Sequence, residues 1–213
     1  MHIDLRKVIH KKSVLDHSLI QRLYDCALNE PKEAATVGKI VNGEYTTAYS
    51  KWCTANFIDY NNRVDDVMEL VNICKTQAQS LFNVTCLEHQ IHFLHYTTGT
   101  KYYPHVDGQY IEEGIAKRGV ERDITCVAYL NDNYDGGLVN FNLLDIKVKP
   151  SAGDVLFYPT TYQYIHSVDE VIGDRYAVVI WFKTDPMLNN DTVISDNRTA
   201  QYLKQLIYKS AGD

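Results

Sequence analysis

Arg175-Tyr-Ala-Val-Val-Ile-Trp-Phe-Lys183 is the stretch on which the fold turns. Its apolar run, Tyr176 to Phe182, is the longest in the chain, yet it is far shorter than the roughly 18 apolar residues of a membrane span. β-Branched and aromatic side chains dominate it, so it reads as a buried strand. Alternation sets Arg175, Ala177, Val179 and Trp181 on one face. A guanidinium on a face otherwise suited to a core is costly unless it is paired. Such a group is well matched to a carboxylate, which it grips through two parallel hydrogen bonds. The strand therefore implies both a β core and an anionic partner inside it.

The same grammar extends upstream. Cys86 to Tyr96, Arg122 to Leu130, Asp145 to Val148, Gly153 to Tyr158 and Tyr162 to Val168 are short and rich in β-formers. Turn signals at Thr98-Gly99, Asn131 to Gly137, Pro150 to Gly153 and Ile172 to Asp174 separate them. Strands at this spacing suggest a sandwich or barrel. Before residue 86 the pattern is mostly helical. Ser13-Val-Leu-Asp16 fits a capping box for a helix with Leu19, Ile20, Leu23 and Ala27 on one side. β-Rich patches follow at Tyr45-Thr-Thr and Trp52 to Ile58. Asn62 can cap a second helix, with Asp65 and Asp66 in its first turn and an apolar stripe of Val64, Val67, Val71, Cys74, Ala78 and Leu81. Ser195 can cap a last one, with Ala200, Leu203, Leu206 and Ile207 inward. The expectation is one α+β domain over residues 1–213. It has helical support over about 1–85, a β core over about 86–184 and a C-terminal helix over about 195–209.

Composition narrows the function. With 21 basic against 27 acidic residues, net −6, the chain lacks the general basic surface that duplex nucleic acid requires. The basic tract Arg6, Lys7, Lys11, Lys12 reads as a solvated face. The start, Met-His-Ile-Asp-Leu-Arg-Lys, has no apolar signal-peptide core. Five cysteines, odd in number and never spaced C-x-x-C, argue against a disulfide framework and a Cys-type zinc site. A cytoplasmic protein, with no membrane and no nucleic acid among its partners, is expected. Tyr occurs 16 times, against 8 for Phe and Trp together, and so many phenols can line a polar cavity as readily as a dry core.

Chemistry concentrates in the β half. His105-Val106-Asp107 places two ligands on one face of an extended segment, and His166 follows 59 residues after Asp107. Two imidazoles and one carboxylate with open positions suit a non-haem ferrous oxygenase. They also suit zinc. The pair alone is not diagnostic, because His2-Ile3-Asp4 repeats it at the terminus. His89, His92 and His95, at spacing three, diverge on a strand and read as non-ligands. Asp135-Gly-Gly reads as a hairpin turn.

The ordered set Tyr96, His105-x-Asp107, Arg122-x-x-Thr125, Tyr129-Leu-Asn131, Gly136-Gly137, Phe141, Pro150-x-x-Gly153-Asp154, His166, Arg175 and Trp181 resembles the 2-oxoglutarate- and Fe(II)-dependent dioxygenases. The similarity is to their prolyl 4-hydroxylase-like branch and covers about residues 86–184. It implies a double-stranded β-helix, a cupin-like jelly roll with flanking N-terminal helices and a C-terminal helix. It further implies Fe(II) held by His105, Asp107 and His166, the three catalytic positions. Arg175 would grip the distal carboxylate of the cosubstrate 2-oxoglutarate, and Tyr96 would add a hydroxyl. O2 would be the second cosubstrate, with ascorbate as an accessory. Arg122 and Tyr102 match positions that approach the substrate.

The implied reaction couples oxidative decarboxylation of 2-oxoglutarate to hydroxylation of a C–H bond. An intact Asp107 favours hydroxylation over halogenation, and Trp181 stands where nucleobase-repair relatives carry a second Arg. Two departures are visible. Collagen-type prolyl hydroxylases use Lys where Arg175 stands, and Val139 replaces a Thr of their Gly-Gly-Glu-Thr-x-Phe segment. The expected substrate is a peptidyl residue, proline first, or a free small molecule. The rivals are a jelly-roll ligand-binding protein without turnover and a zinc hydrolase. Residues 38–51 and 108–121 are the expected substrate selectors, the second as a lid hinged at Gly108, Gly114 and Gly119. Oligomeric state is not legible.

Overall fold

The computed structural model describes the backbone of residues 8–41, 44–49 and 55–209, and the side chains of 8–36 and 55–206. Two antiparallel sheets share one core. The larger runs in the order Ile9–Lys11, Val155–Pro159, Ile124–Tyr129, Arg175–Asp185, Thr85–Tyr96, Asn56–Ile58, Lys32–Ala34. The smaller runs Ile146–Val148, Val139–Phe141, His166–Val168, Tyr102–His105. Leu94, Val127, Phe141, Leu156, Tyr158 and Val179 fill the space between them. This is the expected jelly roll.

Strand Arg175–Asp185 lies in the middle of the larger sheet because both of its faces are apolar. Its odd residues Ala177, Val179 and Trp181 enter the inter-sheet core, and its even residues Tyr176, Val178, Ile180 and Phe182 face the other way. There they meet helix α1, His17–Asn29, and helix α2, Val64–Phe82. Leu19, Leu23, Leu70, Val71 and Cys74 pack with Phe93, Cys126, Val178 and Ile180. Each fully buried Leu in such a layer contributes about 1.5–3 kcal/mol. Arg22 of α1 bonds Asp66 and Glu69 of α2, so the helix pair is tied as well as packed. The last helix, α3, spans Asn197–Lys209.

Helix starts differ from the sequence reading in each case. Asp16, not Ser13, caps α1 by accepting from Leu19 N–H at 2.8 Å, while the Ser13 N–H is taken by Asp154. A carboxylate is the stronger acceptor and stands one residue before the helix. Asn62 does not cap α2, because its amide donates to Glu30 and a 3-10 turn over Asn61–Arg63 precedes the helix. Val64 is exposed, and Leu70 and Phe82 complete the buried stripe. Asp196, rather than Ser195, accepts from Arg198 and Thr199 N–H at the start of α3, where Leu203 is buried. The side chain of Ile207 lies outside the described residues.

Other differences concern the connections. Tyr162–Tyr164 is a 3-10 turn, so only His166–Val168 of the expected strand is extended. Asp135 and Gly136 do not turn a hairpin but pair with Ile172 and Val171. Of the Trp52 to Ile58 patch, Asn56–Ile58 is a strand and Trp52 to Thr54 lie outside the described residues, as do His2, Asp4, Arg6 and Lys7. Of residues 38–51, those described belong to the antiparallel strand pair Thr36–Val41 with Glu44–Tyr49. Residues 108–121 are not a loose lid. They form the hairpin Gln109–Glu112 with Ile115–Arg118, to which Thr192–Val193 adds a third strand.

Candidate functional site

His105 ends strand Tyr102–His105, and His166 starts strand His166–Val168. The two are direct cross-strand partners, with ring centroids 4.3 Å apart. Asp107 lies in a bend beyond the first strand, yet its carboxylate reaches both rings. Oδ1 is 3.4 Å from His105 Nε2, and Oδ2 is 3.9 Å from His166 Nε2. One ligand atom from each residue lies within 4.8 Å of the others, and among the described residues this is the one group of His, Cys or carboxylates so arranged.

The imidazoles are preset for a metal. Nδ1 of His105 is 2.9 Å from the Tyr103 carbonyl, and Nδ1 of His166 is 3.0 Å from the Tyr164 carbonyl. A carbonyl can only accept, so Nδ1 carries the proton and each Nε2 lone pair is turned toward Asp107. Burial pushes His166 down to about 4, repulsion from His105 adds to it, and Asp107 only partly opposes. The ring is therefore neutral at pH 7, as a ligand must be. Burial alone would raise the Asp107 carboxyl, but His166, His105 and the 2.7 Å hydrogen bond from Thr125 hold it well below the usual carboxylate range. Two neutral nitrogens and one carboxylate suit a divalent metal such as Fe(II).

Arg175 occupies the inward face that alternation gave it. It is 2% exposed and is opposed across the sheet by Tyr96, with its Cζ 4.6 Å from that ring and 5.2 Å from the Tyr129 ring. No carboxylate among the described residues pairs with it. Its Nε and the buried hydroxyls of Tyr129 and Tyr134 have no hydrogen-bond partner there either. Burial pulls its pKa down, while Tyr129, Tyr96 and Tyr134 more than offset this, so the charge persists. A buried permanent cation set among tyrosines, with no carboxylate paired to it among the described residues, is a fit for one carboxylate end of 2-oxoglutarate.

The remaining expected residues also border the triad. Tyr102 stacks on His105 with centroids 3.8 Å apart. Arg122 lies 3.8 Å over the Trp181 ring, donates to Gln90 Oε1 at 2.9 Å, and approaches the Asp107 carbonyl at 3.4 Å. Of the three spaced histidines, His92 points inward against Phe57 and Trp181, whereas His95 turns outward to Asp174. Three neighbours have roles that the sequence reading did not assign, although Thr125 stands in the resembling set. Thr125 orients Asp107, Tyr158 OH sits 3.1 Å from His166 Nε2, and Gln90 braces Arg122. A usable signal existed for Thr125, a polar residue on the inward parity of an otherwise apolar strand. Tyr158 carried none.

The profile of the 2OG-Fe(II) oxygenase superfamily matches residues 91–183. A PKHD-type hydroxylase of Prochlorococcus marinus (strain NATL1A) is 29% identical over 146 residues, 64% of this chain and 62% of that protein. The chain thus spans about three fifths of that relative's length. A Pseudomonas putida prolyl-4-hydroxylase shares the fold at TM-score 0.57 and 17% identity, covering 83% of this chain and 91% of its own. A Trichoplax adhaerens prolyl hydroxylase, solved with a hypoxia-inducible-factor peptide, does so at TM-score 0.57 and 16% identity, covering 86% of each. Residues 91–183, which include His105, Asp107, His166 and Arg175, are thus similar to the 2OG-Fe(II) oxygenase superfamily, and the jelly-roll fold is shared with solved prolyl hydroxylases.

Proposed function

We propose that the protein is a 2-oxoglutarate- and Fe(II)-dependent dioxygenase that hydroxylates a C–H bond of a peptidyl residue, proline being the first candidate. The observation that carries this is the convergence of His105, Asp107 and His166 in the same barrel as a buried Arg175 that no carboxylate among the described residues pairs with. In this reading the triad holds the iron, which with 2-oxoglutarate and O2 supplies oxidative decarboxylation and oxygen insertion. The chain's own work is positional. Tyr103 and Tyr164 carbonyls keep both Nε2 lone pairs facing the metal, and Thr125 keeps the carboxylate aimed. Arg175, with Tyr96, Tyr129 and Tyr134, receives the distal carboxylate of the cosubstrate. Leu94, Phe141 and Val179 surround this region with apolar side chains, which strengthens each charged contact beside them.

The substrate side lies at Arg122, Trp181, Gln90 and Tyr102, an aromatic and hydrogen-bonding wall beside Asp107 and His105. Such a wall suits an extended peptide, which offers backbone carbonyls to Arg122 and a ring or aliphatic side chain to Trp181. A peptide is bound by the Trichoplax relative. Four buried free thiols, Cys26, Cys74, Cys86 and Cys126, fit a reducing, cytoplasmic setting. Among the described residues no helix is long and apolar enough to cross a membrane.

Succinate release and O2 consumption with ferrous iron, 2-oxoglutarate and a proline-containing peptide library test the proposal. Turnover by the wild type that disappears in His105→Ala is expected, with a mass gain of one oxygen on the peptide. No succinate above the His105→Ala background, with peptides or with free amino acids, would sink it. Oxygen gained by free amino acids alone would move the substrate from peptide to small molecule.

A further inference from the structure

The carboxylate arm of the triad is held differently from its two imidazoles. His105 and His166 face each other in a strand ladder. Asp107 lies past the end of that ladder, so its backbone must be placed by other means. Residues from distant segments converge on the peptide that follows it. Gly108 N–H donates to the Thr160 carbonyl at 3.1 Å. The Gly108 carbonyl accepts from Gly119 N–H at 3.0 Å and from Asn189 Nδ2 at 3.0 Å. The same Nδ2 donates to the Arg122 carbonyl at 2.9 Å, which also accepts from Thr160 Oγ1 at 2.5 Å.

Asn189 is fully buried and itself rigidly held. Its N–H donates to Asp123 Oδ1 at 2.8 Å, and its carbonyl accepts from Arg118 Nη1 at 2.8 Å. The junction admits no side chain at position 108. A Cβ on Gly108 would lie 2.4 Å from both Asn189 Nδ2 and Thr160 Oγ1, and 2.8 Å from the Arg122 carbonyl. Glycine is needed here for close approach, not for an unusual backbone angle.

We propose that Asn189 is a positioning residue for Asp107. Its amide bridges two carbonyls, one directly after the metal carboxylate and one just before the strand Ile124–Tyr129 that carries Thr125. The bridge sets the spacing at which Thr125 Oγ1 reaches Asp107 Oδ2, and that bond aims the carboxylate. Without Nδ2 the two buried carbonyls have one donor fewer between them, and the peptide after Asp107 drifts from the strand. Asn189 stands outside residues 91–183, so a segment beyond the family match completes the metal site. This inference rests on the reading of His105, Asp107 and His166 as a metal centre.

Cobalt(II), a non-oxidising probe, can be titrated into the full chain and its visible absorption followed. Asn189→Ala is expected to weaken cobalt binding about 10–100-fold, the effect of losing an outer hydrogen-bond partner of a metal ligand. Gly108→Ala pushes on the same amide from the other side and is expected to fall in that range; if either variant fails to fold, the other decides. Leu70→Ala in the helix layer is the control for lost stability, and its cobalt affinity is expected to match the wild type. Folded Asn189→Ala and Gly108→Ala proteins that bind cobalt within about twofold of wild type would overturn the proposal. So would a Leu70→Ala protein weakened to the same degree. A His105→Ala protein that binds as tightly as wild type would instead bring down the metal-centre reading itself.

Discussion

At the residue scale Arg175 carries the sharpest conflict in the molecule. A guanidinium 2% exposed and without an ion pair among the described residues is unfavourable in the protein alone. The Tyr96 and Tyr129 rings offset part of this, since a desolvated cation over an aromatic face gains about 2 kcal/mol. Under the proposed function, the remainder is a cost that the distal carboxylate of 2-oxoglutarate would relieve on binding. Replacing Arg175 with Met should therefore separate folding from binding. The unliganded Arg175→Met protein is expected to unfold at the same temperature as wild type or higher, because a buried charge has gone. Its affinity for 2-oxoglutarate should fall about 10–100-fold, the equivalent of one charge-assisted hydrogen-bond pair, with Fe(II) affinity retained. Calorimetry of the apo protein and isothermal titration under nitrogen measure the two quantities. A destabilised apo protein that still binds 2-oxoglutarate normally would make Arg175 a structural cation instead.

At the element scale two layers divide the labour. The inner faces of strands Arg175–Asp185, Thr85–Tyr96 and Ile124–Tyr129 build the inter-sheet core, and their outer faces bury α1 and α2. Leu70 of α2 is fully buried in the outer layer, far in role from the triad. Leu70→Ala is expected to cost about 2–5 kcal/mol in urea unfolding. If it costs under about 1 kcal/mol, α2 is not the support that this packing describes. The strands, their inward parity and both helix stripes were readable because period two and period 3.6 leave direct marks on sequence. His105, Asp107 and His166 were readable as a set because of Arg175, although the partnership of His105 with His166 depends on a strand pairing that no spacing reveals. Helix caps were misjudged where distant acceptors intervened. Asp154 takes the Ser13 N–H and Glu30 takes the Asn62 amide, 141 and 32 residues away. The hairpin at 109–118 looked like a lid because its anchors, Asn189 and Asn190, lie more than 70 residues downstream.

At the scale of the whole molecule, surplus phenols and buried imidazoles serve the same interior. Tyr96, Tyr129, Tyr134, Tyr158 and Tyr164 all line the inter-sheet core, which accounts for five of the 16 tyrosines. Packing histidines among them has a consequence for pH. Burial, then Arg122, pushes His92 down to about 4 against a weaker pull from Asp107, and His166 is pushed to a similar value by burial and His105. In the unfolded chain both titrate near 6.5. Between about pH 6.5 and 4 the unfolded state therefore binds protons that the native state refuses, and stability falls as pH falls. Asp107 acts in a separate window. Its depressed pKa contributes stability above about pH 4 that is lost only below that point. The urea midpoint of the metal-free protein is accordingly expected to drop between pH 7 and pH 5, before any carboxylate contribution is lost. His92→Phe keeps the packing against Phe57 and Trp181 and removes one of the two titrating rings, so its midpoint should drop less over the same interval. A wild-type midpoint that is level from pH 7 to 5, or a variant that falls as steeply as wild type, would show that His92 is charged in the folded protein. In that case the wall beside Asp107 would present a second cation next to Arg122, and its preference would shift from neutral peptide groups toward anionic ones.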